Sequence, residues 1–416
     1  MGTRIGVALC GVLLLAAACG GGGSGGGPFA TGQPQKLGDP IAGLTLAEFE
    51  AFNRGREVFE RRFKPSEGLG PHYNASSCAS CHSTPVTGGS AGLYRNFYLA
   101  RTGDPTRVNA QVDFPGMPSA VIPAFGPRES HLTAKFTLEA GRMVIPHGSP
   151  GVQVAQRNTI PIFGVGMFEF IRDSTIRDNA DPNDDDQDGI SGRFNRDAGF
   201  LGRFGVKAQS NNIEAFTRPP LINQMGITSD PFEGSGAIVV GLQVSGGDFM
   251  DTRFVDGDDA PDPEISNQDL GDLIAFTRFL APPRPKPFND AARRGEALFE
   301  SIGCVKCHIP TLPSLRGDVH AFTDLLLHDM GDDMADGMAL GEPQGSTIDD
   351  PTSHREFRTQ PLWGVSMHAP FLHDGRAETL LEAIEMHGGE AEAIRDAFLA
   401  LTPEERADLI TFLEHL

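Results

Sequence analysis

The sequence predicts a mainly α protein of two repeated halves, with long loops and one inserted irregular segment. Three observations lead there. The string C-x-x-C-H occurs twice, as Cys78-Ala79-Ser80-Cys81-His82 and as Cys304-Val305-Lys306-Cys307-His308. Matching apolar segments of helical period flank each copy at corresponding places. Glycine and proline are plentiful, 51 and 31 of the 416 residues, so loops should wrap the helices.

Each C-x-x-C-H string is a haem attachment site. Two thiols separated by two residues can add across both vinyl groups of one haem, and the adjacent histidine then ligates the iron. Cys78, Cys81, Cys304 and Cys307 are therefore expected to hold two covalent haem c groups, with His82 and His308 as proximal ligands. A zinc knuckle would bring its two halves within a few tens of residues, and these lie in opposite halves of the chain. A C-x-x-C redox pair has no need of the following histidine, least of all twice.

An internal repeat sets the architecture. Arg54-Gly55-Arg56-Glu57-Val58-Phe59-Glu60 precedes the first motif and Arg294-Gly295-Glu296-Ala297-Leu298-Phe299-Glu300 the second. Asp272-Leu273-Ile274-Ala275-Phe276 follows the first and Asp408-Leu409-Ile410-Thr411-Phe412 the second. Apolar residues recur there every three or four positions, marking amphipathic helices. Ser266 and Thr402 suit N-caps, and Pro403 suits a first helical position. A helix before the motif packed on a helix at the domain end is the cytochrome c arrangement, so two cytochrome c-like domains are expected. Between these pairs, Pro161-Ile162-Phe163-Gly164-Val165-Gly166-Met167 matches Pro361-Leu362-Trp363-Gly364-Val365-Ser366-Met367, with Arg157 and Arg358 just upstream. The expected domains are 44–281 and 288–416, joined by a semi-rigid proline-rich linker at 282–287. An insertion around 90–155 should hold loops and short strands.

The opening 19 residues read as a targeting segment, not as fold. Arg4 is followed by a short apolar run, and Leu15-Ala16-Ala17-Ala18-Cys19 looks like a lipobox whose Cys19 would be lipidated. A plain signal peptide is the alternative, since Ala16 stands where leucine is commoner. Residues 20–43 would form a glycine-rich tether. Haem attachment to thiols also belongs outside the cytoplasm, so the expected location is the periplasmic side of a membrane, held by a lipid anchor. A net charge of −21 argues against nucleic acid, which needs a basic footprint. It suits a small electron-transfer protein as partner, or simply a solvated acidic face.

Further segments carry a family resemblance. They include Gly68-Leu69-Gly70-Pro71, Ala180-Asp181-Pro182 through Gly189-Ile190-Ser191-Gly192-Arg193, and Leu201-Gly202-Arg203-Phe204-Gly205. In the second half they are 322–331, 357–364, Leu372-His373-Asp374-Gly375-Arg376 and Met386-His387-Gly388-Gly389-Glu390-Ala391. From about residue 45 onward the chain resembles the bacterial dihaem oxidoreductases, also called thiol oxidoreductases. These are related to the dihaem cytochrome c peroxidases and to the dihaem enzyme that matures methylamine dehydrogenase.

The resemblance implies the remaining site residues. The sixth ligand in the related peroxidases lies fourteen residues beyond the His-Asp-Gly histidine, which from His373 lands on His387. A bis-histidine second haem is expected, of lower potential than a His/Met one. Met367, His368, His373 and Met386 are the other residues in range, Met386 as core packing. The first haem has no such pattern; His72, His131 and His147 lack supporting context, so an open or weakly occupied sixth position is expected. Glu169, after the 161–167 repeat, matches the peroxidase glutamate and is the candidate acid–base residue, against a salt bridge to Arg172 or Arg157. Asp184, Asp186 and Asp188 alternate as in the first half of a calcium loop, but Asn195 stands where a bidentate glutamate is needed; a calcium clamp and a solvated acidic turn both fit. The implied function is reduction of peroxide or another small oxidant at haem 1, with electrons relayed by haem 2. The alternatives are a non-enzymatic dihaem electron-transfer cytochrome, and an oxygenase or protein-modifying enzyme.

Overall fold

Thr45 and Thr402 each begin a helix in the same way. The threonine hydroxyl accepts the backbone N–H three residues on, and that residue's glutamate (Glu48 or Glu405) reaches back to the threonine N–H. Ser266 caps a third helix, and Pro403 takes the first helical position. The structure is a computed structural model that describes residues 36–70, 75–92, 97–102, 121–123, 137–139, 142–144, 152–197, 199–230, 260–336 and 354–416. Cys10, Cys19, His72, His131 and His147 lie outside the described residues.

The helices are α1 (Leu46–Glu60), α2 (Asp173–Asp178), α3 (Ile213–Pro220), α4 (Asn267–Phe279), α5 (Asp290–Ser301), α6 (Leu380–Glu385), α7 (Glu392–Ala400) and α8 (Pro403–Leu413). The strands are short. β1 (Phe97–Thr102) pairs antiparallel with β2 (Val121–Pro123) and with β5 (Val152–Arg157), where Phe97 faces Arg157. β3 (Thr137–Glu139) pairs with β4 (Arg142–Val144), and β6 (Arg196–Asp197) with β7 (Phe200–Leu201). In the second half β8 (Leu327–Asp329) pairs with β9 (Glu356–Arg358). The protein is mainly α, and the β1–β5 strands fall in the segment where short strands were expected.

The repeated words of the sequence meet in space. α1 packs on α4 and α5 packs on α8. At each crossing a glycine lets the backbones touch: a Cβ on Gly55 would overlap the Asp272 carbonyl, and one on Gly295 the Asp408 carbonyl. The preceding arginine closes the contact as a two-pronged ion pair. Arg54 Nε and Nη2 each lie 2.8 Å from an Asp272 oxygen; Arg294 Nε and Nη2 lie 2.6 and 2.8 Å from those of Asp408. Phe52 and Phe59 flank Phe276 in the first pair, with ring centroids at 5.2 and 4.9 Å. Phe299 meets Phe412 at 5.3 Å in the second.

Two apolar clusters form the core. The second contains Phe299, Val365, Phe371, Phe398, Leu409 and Phe412. The first gathers Phe52, Phe59, Phe168, Leu270 and Phe276, and it also takes Leu312, Leu325, Leu326 and Trp363 from the later half of the chain. The 282–287 stretch is packed between them: Pro282 lies against Gly164, Pro283 against Gly364, and Lys286 N–H bonds the His415 carbonyl at 2.7 Å. Gly164 and Gly364 both have left-handed backbones (φ 72° and 63°) that open equivalent turns. Among the described residues, no helix is long and apolar enough to cross a membrane.

Candidate haem sites

Both C-x-x-C-H strings fold as the same tight turn, Cys78–Ser80 and Cys304–Lys306, the second directly after α5 and the first 18 residues beyond the end of α1. The His82 N–H returns to the Cys78 carbonyl and the His308 N–H to the Cys304 carbonyl, each at 3.0 Å. This brings the histidine beneath the helix aromatics, with His82 6.0 Å from Phe59 and His308 6.3 Å from Phe299. Nδ1 of His82 lies 3.0 Å from the Gly89 carbonyl and Nδ1 of His308 2.9 Å from that of Phe322. A carbonyl only accepts, so Nδ1 carries the proton and Nε2 keeps its lone pair. That is how a histidine ligand is oriented and its tautomer fixed. Burial pushes both imidazoles down to about 4 and so keeps them neutral, while it pushes the Cys78 and Cys304 thiols up to about 12.

The two sites differ on the far side of the histidine. His387 follows α6 and its Nδ1 donates to the Ala383 carbonyl at 2.7 Å, again leaving Nε2 with its lone pair. Burial lowers its pKa, and its ring in turn helps to lower that of His308. His82 is moved only by burial and by the Gly89 carbonyl; among the described residues no second titratable group contributes. Of the other residues in range of the second site, His373 is buried and stacks on Phe357 with centroids 4.2 Å apart. Met386 packs against the second core cluster. Met367 and His368 instead line a shallow cleft together with Pro85, Pro161, Phe163 and Trp363, where the loop after the first motif faces the later half. Trp363 stacks on Phe168 there, 5.5 Å between centroids and 13° between planes. The sequence reading singled out neither as functional.

Glu169 does make an ion pair, but with a partner that was not expected. Arg278 of α4 places Nε 2.5 Å from Oε2 and Nη2 3.2 Å from Oε1. Oε1 also accepts the Ile213 N–H at the start of α3, at 2.7 Å. Arg157 pairs instead with Asp336 at 2.6 Å. The acidic loop differs from expectation too. Ligand oxygens of Asp181, Asp184 and Asp186 converge, whereas Asp188 turns away and pairs with Lys306, inside the second haem motif, at 2.9 Å. Asp188 is diverted because the loop lies against that motif: Ser191 Oγ donates to Glu390 at 2.5 Å, and Arg193 and Leu327 exchange backbone hydrogen bonds.

One group near the second motif escaped the sequence reading. His328 is buried between Asp324 and Glu390, and its Nδ1 also lies 3.7 Å from Cys307 Sγ. Burial, the largest influence, opposes its protonation, but in the haem-free chain the neighbouring Asp324 carboxylate and Cys307 thiol outweigh it and hold His328 well above its ordinary range. Three more buried polar atoms, Asn158 Oδ1, Thr159 Oγ1 and His373 Nδ1, find no partner among the described residues. Asn158 itself ties the halves together through Nδ2 to the Pro370 carbonyl at 2.7 Å.

The residues fit two haems. Each site offers two cysteines in one turn, a neutral histidine with Nε2 available, and an aromatic wall.

Comparison with known proteins agrees. Residues 147–416, nearly two thirds of the chain, match the family described as "Di-haem oxidoreductase, putative peroxidase". The "Methylamine utilization protein MauG" of Methylorubrum extorquens is 32% identical over 132 residues, 30% of this chain and 34% of that protein. Its namesake in Methylophilus methylotrophus is 28% identical over 158 residues, 35% and 42% of the two chains. The chain thus matches less than half the length of these relatives. A crystal structure of "a MauG-like protein associated with microbial copper homeostasis" is 18% identical, with a TM-score of 0.41 over 93% of this chain and 94% of that one. The diheme peroxidase BthA of Burkholderia thailandensis is 16% identical, with a TM-score of 0.41 over 88% and 86%. This chain belongs to the di-haem oxidoreductase family, whose members carry two haems.

Proposed function

We propose that the protein is a c-type dihaem oxidoreductase that reduces peroxide or another small oxidant at the His82 haem, with electrons delivered through the His308 haem. The observation that carries this is the asymmetry of the two sites: His387 acts electrostatically on His308, whereas among the described residues no titratable side chain does so on His82. A haem held by Cys78, Cys81 and His82 would supply the oxidant-binding chemistry. The protein's own part is to attach both haems through Cys78, Cys81, Cys304 and Cys307 and to keep His82, His308 and His387 neutral and oriented by carbonyls. Trp363 and Phe168 fill the contact between the halves. The acidic surface suits a small electron-transfer protein as donor. Cys19 would anchor the mature chain by lipid on the periplasmic side, and Asp181, Asp184 and Asp186 are the carboxylates that would hold a calcium ion.

A second reading, a dihaem electron carrier with no substrate, is favoured by Glu169. Acid–base service would require it to release an oxygen from Arg278 or from the Ile213 N–H. Spectroscopy decides between them. The protein, expressed with haem c maturation machinery, should carry two haems that survive denaturation, one high-spin and one low-spin by spin resonance, and should react with peroxide. Two low-spin haems inert to peroxide in both the oxidised and half-reduced states would establish the carrier.

A further inference from the structure

His328 sits in β8 with only 4% of its surface exposed. Its Nε2 lies 2.8 Å from Asp324 Oδ2 and its Nδ1 2.8 Å from Glu390 Oε2. Ionised carboxylates can only accept hydrogen bonds, so both ring nitrogens must carry protons and the ring is an imidazolium. Both acids are themselves held as acceptors. Glu390 Oε1 takes the Ser191 hydroxyl at 2.5 Å and the Asp329 N–H at 3.2 Å, and its Oε2 also takes the Ser191 N–H at 3.1 Å. Asp324 Oδ1 takes the Leu326 N–H at 2.9 Å. One cation and two anions are thus buried together, in contact with Cys307 Sγ at 3.7 Å. Fixed charges in a buried site act on a neighbouring redox centre far more strongly than surface charges do.

We propose that Asp324, His328 and Glu390 are positioning residues that set the reduction potential of the second haem, with the His328 cation holding it up against the pull of the two carboxylates. The proposal rests on the reading that Cys304, Cys307 and His308 carry that haem. The sign of each effect follows from charge. A positive charge beside the haem disfavours the ferric form, so removing it lowers the potential; removing a negative charge raises it. A merely structural role would loosen the site in the same sense whichever member is lost.

The test uses the full-length, haem-loaded chain and its His328→Gln, Glu390→Gln and Asp324→Asn variants. The midpoint potential of the low-spin haem is read by spectroelectrochemistry. Asp324 lies on the side of the ring away from the His387 turn, so its variant keeps the test open if the Glu390 substitution fails to fold. At a fixed potential, the ferrous-to-ferric ratio of that haem should fall on the order of tenfold in His328→Gln and rise by a similar factor in the two acid variants. Shifts of one common sign, or none, would overturn the proposal while leaving the second haem in place. If the wild-type mass shows no covalent haem on Cys304 and Cys307, the functional reading fails and the proposal fails with it.

Discussion

At the scale of single residues, the imidazoles divide by what each Nδ1 binds. His82, His308 and His387 donate to carbonyls and keep a lone pair on Nε2, whereas His328 gives protons to acids on both sides. Substituting His387 with methionine should preserve a low-spin second haem but raise its potential, because a thioether favours ferrous iron relative to imidazole; a redox titration with an absorption spectrum reads both. If neither moves, another residue is the ligand, with Met367 the next to replace. Glu169→Gln should behave as the loss of a partly exposed ion pair, its amide oxygen still able to accept the Ile213 N–H. Stability should fall by about 1–2 kcal/mol in urea titration, with the rate of reaction with peroxide unchanged. A slowing of roughly 10²–10⁴-fold would instead give Glu169 the acid–base role that its place in the sequence suggested.

At the scale of elements, the two helix pairs depend on contact between backbones at a glycine. Replacing an exposed helical glycine with alanine ordinarily gains up to about 1 kcal/mol. At Gly55 and Gly295 the new Cβ would meet the Asp272 or Asp408 carbonyl, so the sign should reverse. Each substitution should cost about 1–3 kcal/mol, measured by thermal or urea unfolding, and each should weaken the ion pair beside it. These pairs were legible in the sequence because their signals are local: apolar period, N-cap threonine or serine, and repeated Arg-Gly and Asp-Leu-Ile words. That Arg54 grips Asp272, 218 positions away, was not legible, although both stood in the repeat. Nor was the Arg278 partner of Glu169, 109 positions on, because spacing along the chain carries no information about distance across it. The acidic loop shows the same limit. Alternation suggested that Asp188 joins Asp184 and Asp186, but packing against the second haem motif gives it to Lys306 and brings Asp181 in its place.

At the scale of the whole molecule, the halves are joined by apolar packing around Trp363 and by buried polar ties, and the ties make the joint sensitive to acid. The Asn158 N–H donates to the His373 carbonyl at 2.8 Å, and Asn158 Nδ2 reaches Pro370. The His373 ring lies between this seam and Phe357, and its Nδ1 has no partner among the described residues. Burial, the dominant influence, pushes its pKa down to about 3, although Asp374 pulls the other way. The unfolded chain therefore takes up this proton near the ordinary histidine value of about 6.5, while the folded chain resists it until about pH 3. Folded stability from this group is fully present above about pH 6.5 and is lost progressively as the pH falls towards 3, a loss on the order of 5 kcal/mol. Unfolding midpoints in urea should accordingly decline between pH 6.5 and 4 in the wild type. In His373→Gln, which cannot titrate, that part of the decline should disappear, at the expense of lower stability at pH 7 from the lost stacking on Phe357. A variant whose midpoints fall as steeply as the wild type's would show that other buried groups weaken the seam in acid, with His373 only packed within it.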